Sequence, residues 1–452
     1  MRRCPATLLL AAALMLAACA GPPLHETVTL DGFTAQIEPS RVVGGSAGLL
    51  ACVDPAHPAA PWQVPVVEHV GRVGGADYVL FAPANWNGEL VLFAHGYVAP
   101  SYPDGTFPFG LPIGIDPGPD VPAEVIALRD LMLCQGYALA ASSYRTHGYA
   151  VEDGVRDTHL LNAVARRHLG GPPARTYVLG QSMGGLIAVA LAERFPAAYD
   201  GAFAFCGPIA GSPIQLDYVG HVRVLVQHFL PELFEGALPF ESPALTHEAY
   251  LSAFLPRLTA LLSDSTRWPD VLPLASVRLP SGMPALPVDP AIVPSDIPAM
   301  VASLGNSLAS ALYYYVVGVE DMLARGRGIP FDNTDAWYTW VHPFDGVDRS
   351  AALNAAVLRI EGDPQALRYW GRHYQPSGDL HVPLLALHTT HDPDVPYPHV
   401  LLYQQLHGGA SDMLRVHTVP AYGHCNFAPA ELAGAFAALR VRVETGWWPP
   451  AP

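Results

Sequence analysis

The tightest constraint in this chain is the run Gly180-Gln181-Ser182-Met183-Gly184-Gly185. The apolar stretch Arg175 to Leu179 leads into it, and the Ala- and Gly-rich stretch Gly184 to Arg194 leaves it. This spacing predicts a buried strand that turns into a helix within a few residues. Such a turn crowds its own backbone, and small residues two before and two after the serine relieve the clash. The serine oxygen then stands clear of the sheet. The N–H of Met183 falls at a helix start, where the first amides lack partners and favour negative charge.

The rest of the chain supplies the sheet that such a turn needs. Val64 to Val70 and Tyr78 to Ala82 read as antiparallel strands joined at Gly74-Gly75. Glu89 to Ala94, Tyr137 to Ser142, Arg175 to Leu179 and Ala202 to Cys206 follow as strands. Helices at Ala123 to Cys134, Thr158 to His168 and Gly184 to Arg194 come between them. A loop rich in Pro and Gly runs from Ala99 to Pro122. After Gly207 the rhythm stops, and it returns with Val382 to Leu387, His399 to Leu406, Leu414 to Val419 and Ala430 to Val443. Strands alternating with helices imply an α/β fold with a mostly parallel sheet covered by helices on both faces. The interruption, residues 207–377, has helical pieces at Val222 to Phe234, His247 to Leu262 and Ile297 to Leu323. It is rich in aromatic residues (Tyr313, Tyr314, Tyr315, Trp337, Tyr338, Trp340) and reads as a mainly helical cap inserted between two late strands. The expected organisation is a leader at 1–18, an N-terminal linker or extension at 19–60, core at 61–206, the cap, and core again at 378–452.

The leader starts with Arg2 and Arg3 and continues with an apolar stretch from Ala6 to Ala18 too short to span a bilayer. Leu16-Ala17-Ala18-Cys19 resembles a bacterial lipobox, which implies lipidation of Cys19 and a surface-anchored or otherwise exported protein. The formal net charge is −16, and the leader carries two of the arginines. An acidic surface argues against nucleic acid or anionic lipid as a partner, so membrane association is expected only through the anchor. Export permits disulfides. Cys52, Cys134, Cys206 and Cys425 allow three connectivities, or can remain four buried thiols.

A serine hydroxyl needs a base, and the base needs a carboxylate to fix its tautomer. His424, in Tyr422-Gly423-His424-Cys425-Asn426-Phe427, follows the last strand. His391-Asp392-Pro393-Asp394-Val395-Pro396 follows the strand before it. Two aspartates compete for the acid: Asp392, before a proline in the D-P-x-V-P pattern, is the expected one, and Asp394 could instead cap the following helix. Arg145, at a strand end, reads as a substrate contact or a structural partner of Asp157. His388 and His391 have ligand-like spacing but no third candidate nearby, so no metal is expected. There is no dinucleotide or phosphate-binding glycine fingerprint, and no cofactor is expected.

With serine, acid and histidine in the order Ser182, Asp392, His424, the chain resembles the α/β-hydrolase superfamily from about Val64 to Val443, the cap excepted. The resemblance implies an α/β-hydrolase fold and two-step acyl transfer. His95-Gly96 resembles the oxyanion loop, which would make the N–H groups of Tyr97 and Met183 the oxyanion donors. Tyr and Met in these roles are similar to those of cutinase-like polyester hydrolases. Tannase-like and feruloyl-esterase-like hydrolases join a cysteine beside the histidine to one beside the serine. Cys425 matches the first position, but Gln181 occupies the second, and the nearest candidate is Cys206. The implied pairs are Cys206–Cys425 and, by remainder, Cys52–Cys134. The expected substrate is a small-molecule or polymeric carboxylic ester. The same triad serves a peptidase or amidase, for which Glu320 and Asp321 are candidate amine-binding acids. A non-catalytic ligand-binding lipoprotein would not need all these residues together.

Overall fold

A computed structural model describes residues 26–43, 48–54, 57–101, 123–235, 239–240, 244–409 and 411–450. The leader, Cys19 and most of the Pro/Gly-rich loop lie outside the described residues.

The core is one twelve-stranded sheet. Its strands are β1 (Glu26–Leu30), β2 (Phe33–Ile37), β3 (Arg41–Val42), β4 (Gly48–Asp54), β5 (His57–Val73), β6 (Ala76–Pro83), β7 (Glu89–Ala94), β8 (Ala138–Ser142), β9 (Arg175–Gln181), β10 (Gly201–Phe205), β11 (Leu384–His391) and β12 (Leu414–Tyr422). The order is β1-β2-β5-β6-β8-β7-β9-β10-β11-β12, with β3 and β4 also paired to β5. Pairing is antiparallel from β1 to the β6–β8 contact and parallel from β8 to β12.

Parallel strands need crossover connections, and the crossovers here are helices that cover both faces. One face packs α2 (Val151–His168) and α3 (Met183–Arg194) against Leu90, Leu92, Ala140, Val178, Ala204 and Ala386. The other packs α1 (Ala123–Cys134) and α10 (Pro429–Thr445) against Val91, Phe93, Leu139, Leu179, Phe205 and Leu387. Neighbours in sequence thus enter opposite cores, as the two-residue strand period requires. Every residue of β7, β8 and β10 is buried, which explains why these strands read as continuous apolar runs.

Between β10 and β11 the described residues add no strand to the sheet and build a third core of their own. Its main elements are α4 (Ser212–Phe229), α5 (the helical run 247–263), α6 (Ile297–Gly326), α7 (Ser350–Ala356) and α8 (Pro364–Arg372). Tyr218, Leu225, Leu258, Leu304, Leu312, Phe331 and Tyr338 are buried within it. Residues of α4 and α6 reach down to Ser182, so the insertion lies over that edge of the sheet.

Two sequence expectations change. The segment read as a linker at 19–60 carries β1 to β4. These strands are short and carry at most one or two buried residues each, such as Val28, Ala35, Leu50 and Cys52, too sparse to show a strong apolar period. The helix expected from Thr158 begins at Val151, because Glu152 and Asp153 open its first turn while buried polar residues (Asp157, Thr158, His159, Asn162) mask the apolar stripe.

Cys52 on β4 is disulfide-bonded to Cys134 at the end of α1, closing 82 residues of chain. The pair sits in the core of the α1 face, far along the sheet from Ser182. Cys52→Ser together with Cys134→Ser is expected to lower stability by about 2–4 kcal/mol, mainly by freeing the unfolded chain. Thermal unfolding should show the lowered midpoint, while labelling of Ser182 by a fluorophosphonate well below it stays unchanged.

Candidate active site

Ser182 is the one residue between β9 and α3. Its φ is +53° and ψ −126°, a left-handed conformation that costs energy outside glycine. The surrounding glycines explain why the turn is tolerated. A Cβ on Gly180 would lie 1.9 Å from the Gly184 carbonyl oxygen, and one on Gly184 would lie 1.9 Å from that of Ala94. Neither position admits any other residue. Ser182 N–H donates to the Phe205 carbonyl at 3.0 Å, tying the turn to the next strand.

The candidate acid and base come from the ends of β11 and β12. Asp392 is buried, and its Oδ1 accepts the N–H groups of Asp394 at 2.9 Å and Val395 at 3.0 Å. Its Oδ2 accepts from His424 Nδ1 at 2.7 Å. Because a carboxylate only accepts, Nδ1 carries the hydrogen and Nε2 is free to accept. Ser182 Oγ lies 2.9 Å from that Nε2. The histidine loop is pinned three ways: Gly423 N–H donates to His391 O at 3.0 Å, Thr389 Oγ1 donates to Gly423 O at 2.9 Å, and Cys425 is bonded to Cys206 at a Cα separation of 5.2 Å. Burial lowers the basicity of His424, but the Asp392 charge and hydrogen bond, helped by Asp394, outweigh it and raise the pKa to about 9.

Gly96 runs directly against Ser182; a Cβ there would stand 3.2 Å from Ser182 Cβ. This places Tyr97 just past the nucleophile, across from Met183 at the start of α3. His95 holds the loop from behind. Its Nδ1–H donates to Gly96 O at 2.7 Å, its ring stacks on Tyr144 at 3.8 Å, and Tyr144 Oη donates to His95 O at 3.1 Å. Burial drops its pKa to about 4, so it stays neutral.

The pocket at Ser182 is lined by Tyr97, Tyr149, Met183, Leu216, Tyr314 and Asp394, among others. Tyr314 and Asp394 also line a second, more open cavity with Tyr250, Leu251 and Tyr313. Asp394 is the site residue that sequence reasoning missed. It does not cap α9 (Pro398–Leu406), whose first turn has Tyr397 at its start and no side-chain cap. Its carboxylate faces the pocket instead. The only available signal was a second acidic residue beside Asp392, and spacing alone does not say which way it points.

Other candidates have structural uses. Arg145 is paired with buried Asp157 through its guanidinium and its N–H. Asp321 accepts from Tyr149 N–H at 2.9 Å and pairs with Arg325, and Glu320 is exposed; neither faces the pocket. His388 Nδ1 meets the Thr389 carbonyl and His391 Nδ1 the Thr390 hydroxyl. Among the described residues, the one grouping of potential metal donors is Cys206, His424 and Cys425. There the disulfide uses both sulfurs and the triad uses the histidine.

A family model described as serine aminopeptidase, S33, matches residues 135–268. An o-phthalyl amidase of Xanthobacter agilis is 24% identical over 442 residues, covering 87% of this chain and 90% of that protein. Among solved structures, a feruloyl esterase B from Aspergillus oryzae is similar with a TM-score of 0.47, 14% identity, and coverage of 93% of this chain and 89% of its own. A lipase A of Candida antarctica in its closed state gives 0.45, 14%, 95% and 87%.

Only neutral His424 can take the Ser182 proton. Turnover at low substrate should therefore rise with pH and level off above about 9. Asp392→Asn removes the main charge that raises His424, so the rise should move to lower pH while kcat falls about 10⁴-fold. A pH profile of kcat/KM for both proteins checks the pair of effects; an unmoved profile would contradict the assignment of Asp392.

Proposed function

This chain belongs to the α/β-hydrolase superfamily, and we propose that it cleaves carboxylic esters through an acyl-enzyme on Ser182. The observation that carries the reading is the continuous relay Asp392–His424–Ser182, at 2.7 and 2.9 Å. Ser182 Oγ attacks the ester carbonyl as His424 Nε2 takes its proton. Asp392 stabilises the imidazolium so formed. The N–H groups of Tyr97 and Met183 hold the developing oxyanion at the mouth of a helix whose dipole favours it. His424 then returns the proton to the leaving alcohol, activates water for the second step, and delivers the acid product.

A second reading, amide hydrolysis, is favoured by the amidase relative. The chemistry orders the two. A triad able to expel an amine also expels an alcohol, which is the better leaving group, so ester turnover is expected under either reading. We also infer an exported protein. Two disulfides suit an oxidising compartment. No helix among the described residues is long and apolar enough to cross a membrane. Attachment through a lipid on Cys19 remains the proposal made from the lipobox-like run.

The test is a panel of p-nitrophenyl esters of increasing acyl length beside matched p-nitroanilides, with Ser182→Ala as control. Ester turnover should be clear in the wild type and fall at least about 10⁴-fold in the variant. Turnover that survives Ser182→Ala would end the serine-hydrolase reading. Anilide turnover within tenfold of the matched ester would establish the amidase reading.

A further inference from the structure

The mechanism above leaves one buried acid unused. Asp394 is 4% exposed and lies on the wall shared by the Ser182 pocket and the more open cavity beyond it. Its neighbours do not satisfy it. Oδ2 receives only a long bond from Tyr314 Oη at 3.3 Å. The Ser310 hydroxyl is near enough to steady the charge, yet Oδ1 has no hydrogen-bond partner among the described residues. The backbone of Asp394 is fully committed: its N–H donates to Asp392 and its carbonyl accepts from Gln215 Nε2 at 2.7 Å. The side chain is therefore held at the pocket wall by its main chain and does not anchor the fold itself.

An acceptor buried without a donor is costly. Burial pushes this carboxyl up to about 6, the nearby Asp392 adds to the rise and the His424 charge opposes it. At neutral pH the group is still ionised. The remaining lining (Tyr97, Tyr149, Met183, Pro208, Leu216, Val219) contains no arginine or lysine to compensate it. The nearby cation, His424, is committed to Asp392 and Ser182, so a donor for Oδ1 would come with the ligand.

We propose that Asp394 is a specificity residue that selects substrates carrying a protonated amine next to an apolar or aromatic body, the ammonium docking on Oδ1 while the scissile carbonyl sits at Ser182. The aromatic wall of Tyr313, Tyr314 and Tyr250 suits such a body and adds cation–π attraction for an amine that passes it. The turnover side of this idea rests on the ester reading; its binding side does not.

Two readouts separate them. The first compares kcat/KM for aryl acetates bearing para-aminomethyl, para-ethyl or para-carboxymethyl groups, and for p-nitrophenyl esters of phenylacetates with the same substituents. Wild type should prefer the amine over the neutral isostere by at least tenfold in one series, with the carboxylate poorest. Asp394→Asn should bring the amine-to-neutral ratio down to within threefold of one. Its loss should appear mainly in KM for the amine, which a merely structural defect would not single out. The second readout is equilibrium binding of 4-methylbenzylamine, against 4-methylbenzyl alcohol, to Ser182→Ala protein with and without Asp394→Asn, by calorimetry. Tenfold tighter amine binding that disappears in Asp394→Asn supports the proposal even if every ester proves inert, an outcome that would sink the ester reading alone. Equal amine and neutral binding in the Ser182→Ala protein, or an amine preference unchanged by Asp394→Asn, overturns it.

Discussion

Where α3 leaves β9 there is no room for a side chain. Gly180 and Gly184 sit so close to the carbonyls of Gly184 and Ala94 that a single added carbon would overlap them. This contact sets how near the first turn of the helix comes to the end of β7. That in turn fixes the distance from Ser182 to the loop at Gly96 and Tyr97. The left-handed backbone of Ser182 is the visible result. Tyr144, Cys206 and Cys425 share that conformation, and all four lie along the same edge of the sheet. Strain of this kind persists only where packing over-determines it, and the fully buried strands beneath provide that packing.

Two carboxylates on one short loop show how environment divides roles. Asp392 accepts two backbone N–H groups and the histidine, so its charge is well supported. Asp394, two residues on, has a long contact from Tyr314 and the Ser310 hydroxyl nearby, while its Oδ1 has no hydrogen-bond partner among the described residues. The first is fixed in place by these three bonds. The second carries its charge into a space lined mostly by apolar and aromatic groups. Sequence position separated Asp392 from Asp394 as the expected acid but gave Asp394 no place in the pocket.

The sheet and the tight turn at Ser182 were legible in the sequence because their signals are local. Continuous apolar runs mark strands buried on both faces, and the Gly-x-Ser-x-Gly spacing records a steric demand within five residues. His424 and Asp392 were legible through order along the chain and through the loops after the last strands. The N-terminal strands were not, since they offer at most one or two buried side chains apiece and are held by pairing, β1 with β2 and β2, β3 and β4 with β5. Asp394 was not legible as a pocket residue either. The direction of its side chain is set by Gln215 holding its carbonyl and by Asp392 holding its amide, and Gln215 is far away in sequence. Asp321, which looked free, is occupied by Tyr149 and Arg325, again a matter of long-range contact.

The insertion grips the loops of Asp392 and His424 by their backbone and by Tyr422. Gln215 and Tyr218 on α4 donate to the carbonyls of Asp394 and Pro393, both at 2.7 Å, and Tyr422, two residues before His424, donates to the Ser303 carbonyl of α6 at 2.8 Å. In engineering terms the insertion is not a detachable module. A chimaera cut at its two sequence borders would keep every triad residue yet lose the partners that seat the acid and base. Crossovers that carry the Asp392–Val395 loop along with α4 would transfer pocket and triad as one inherited block.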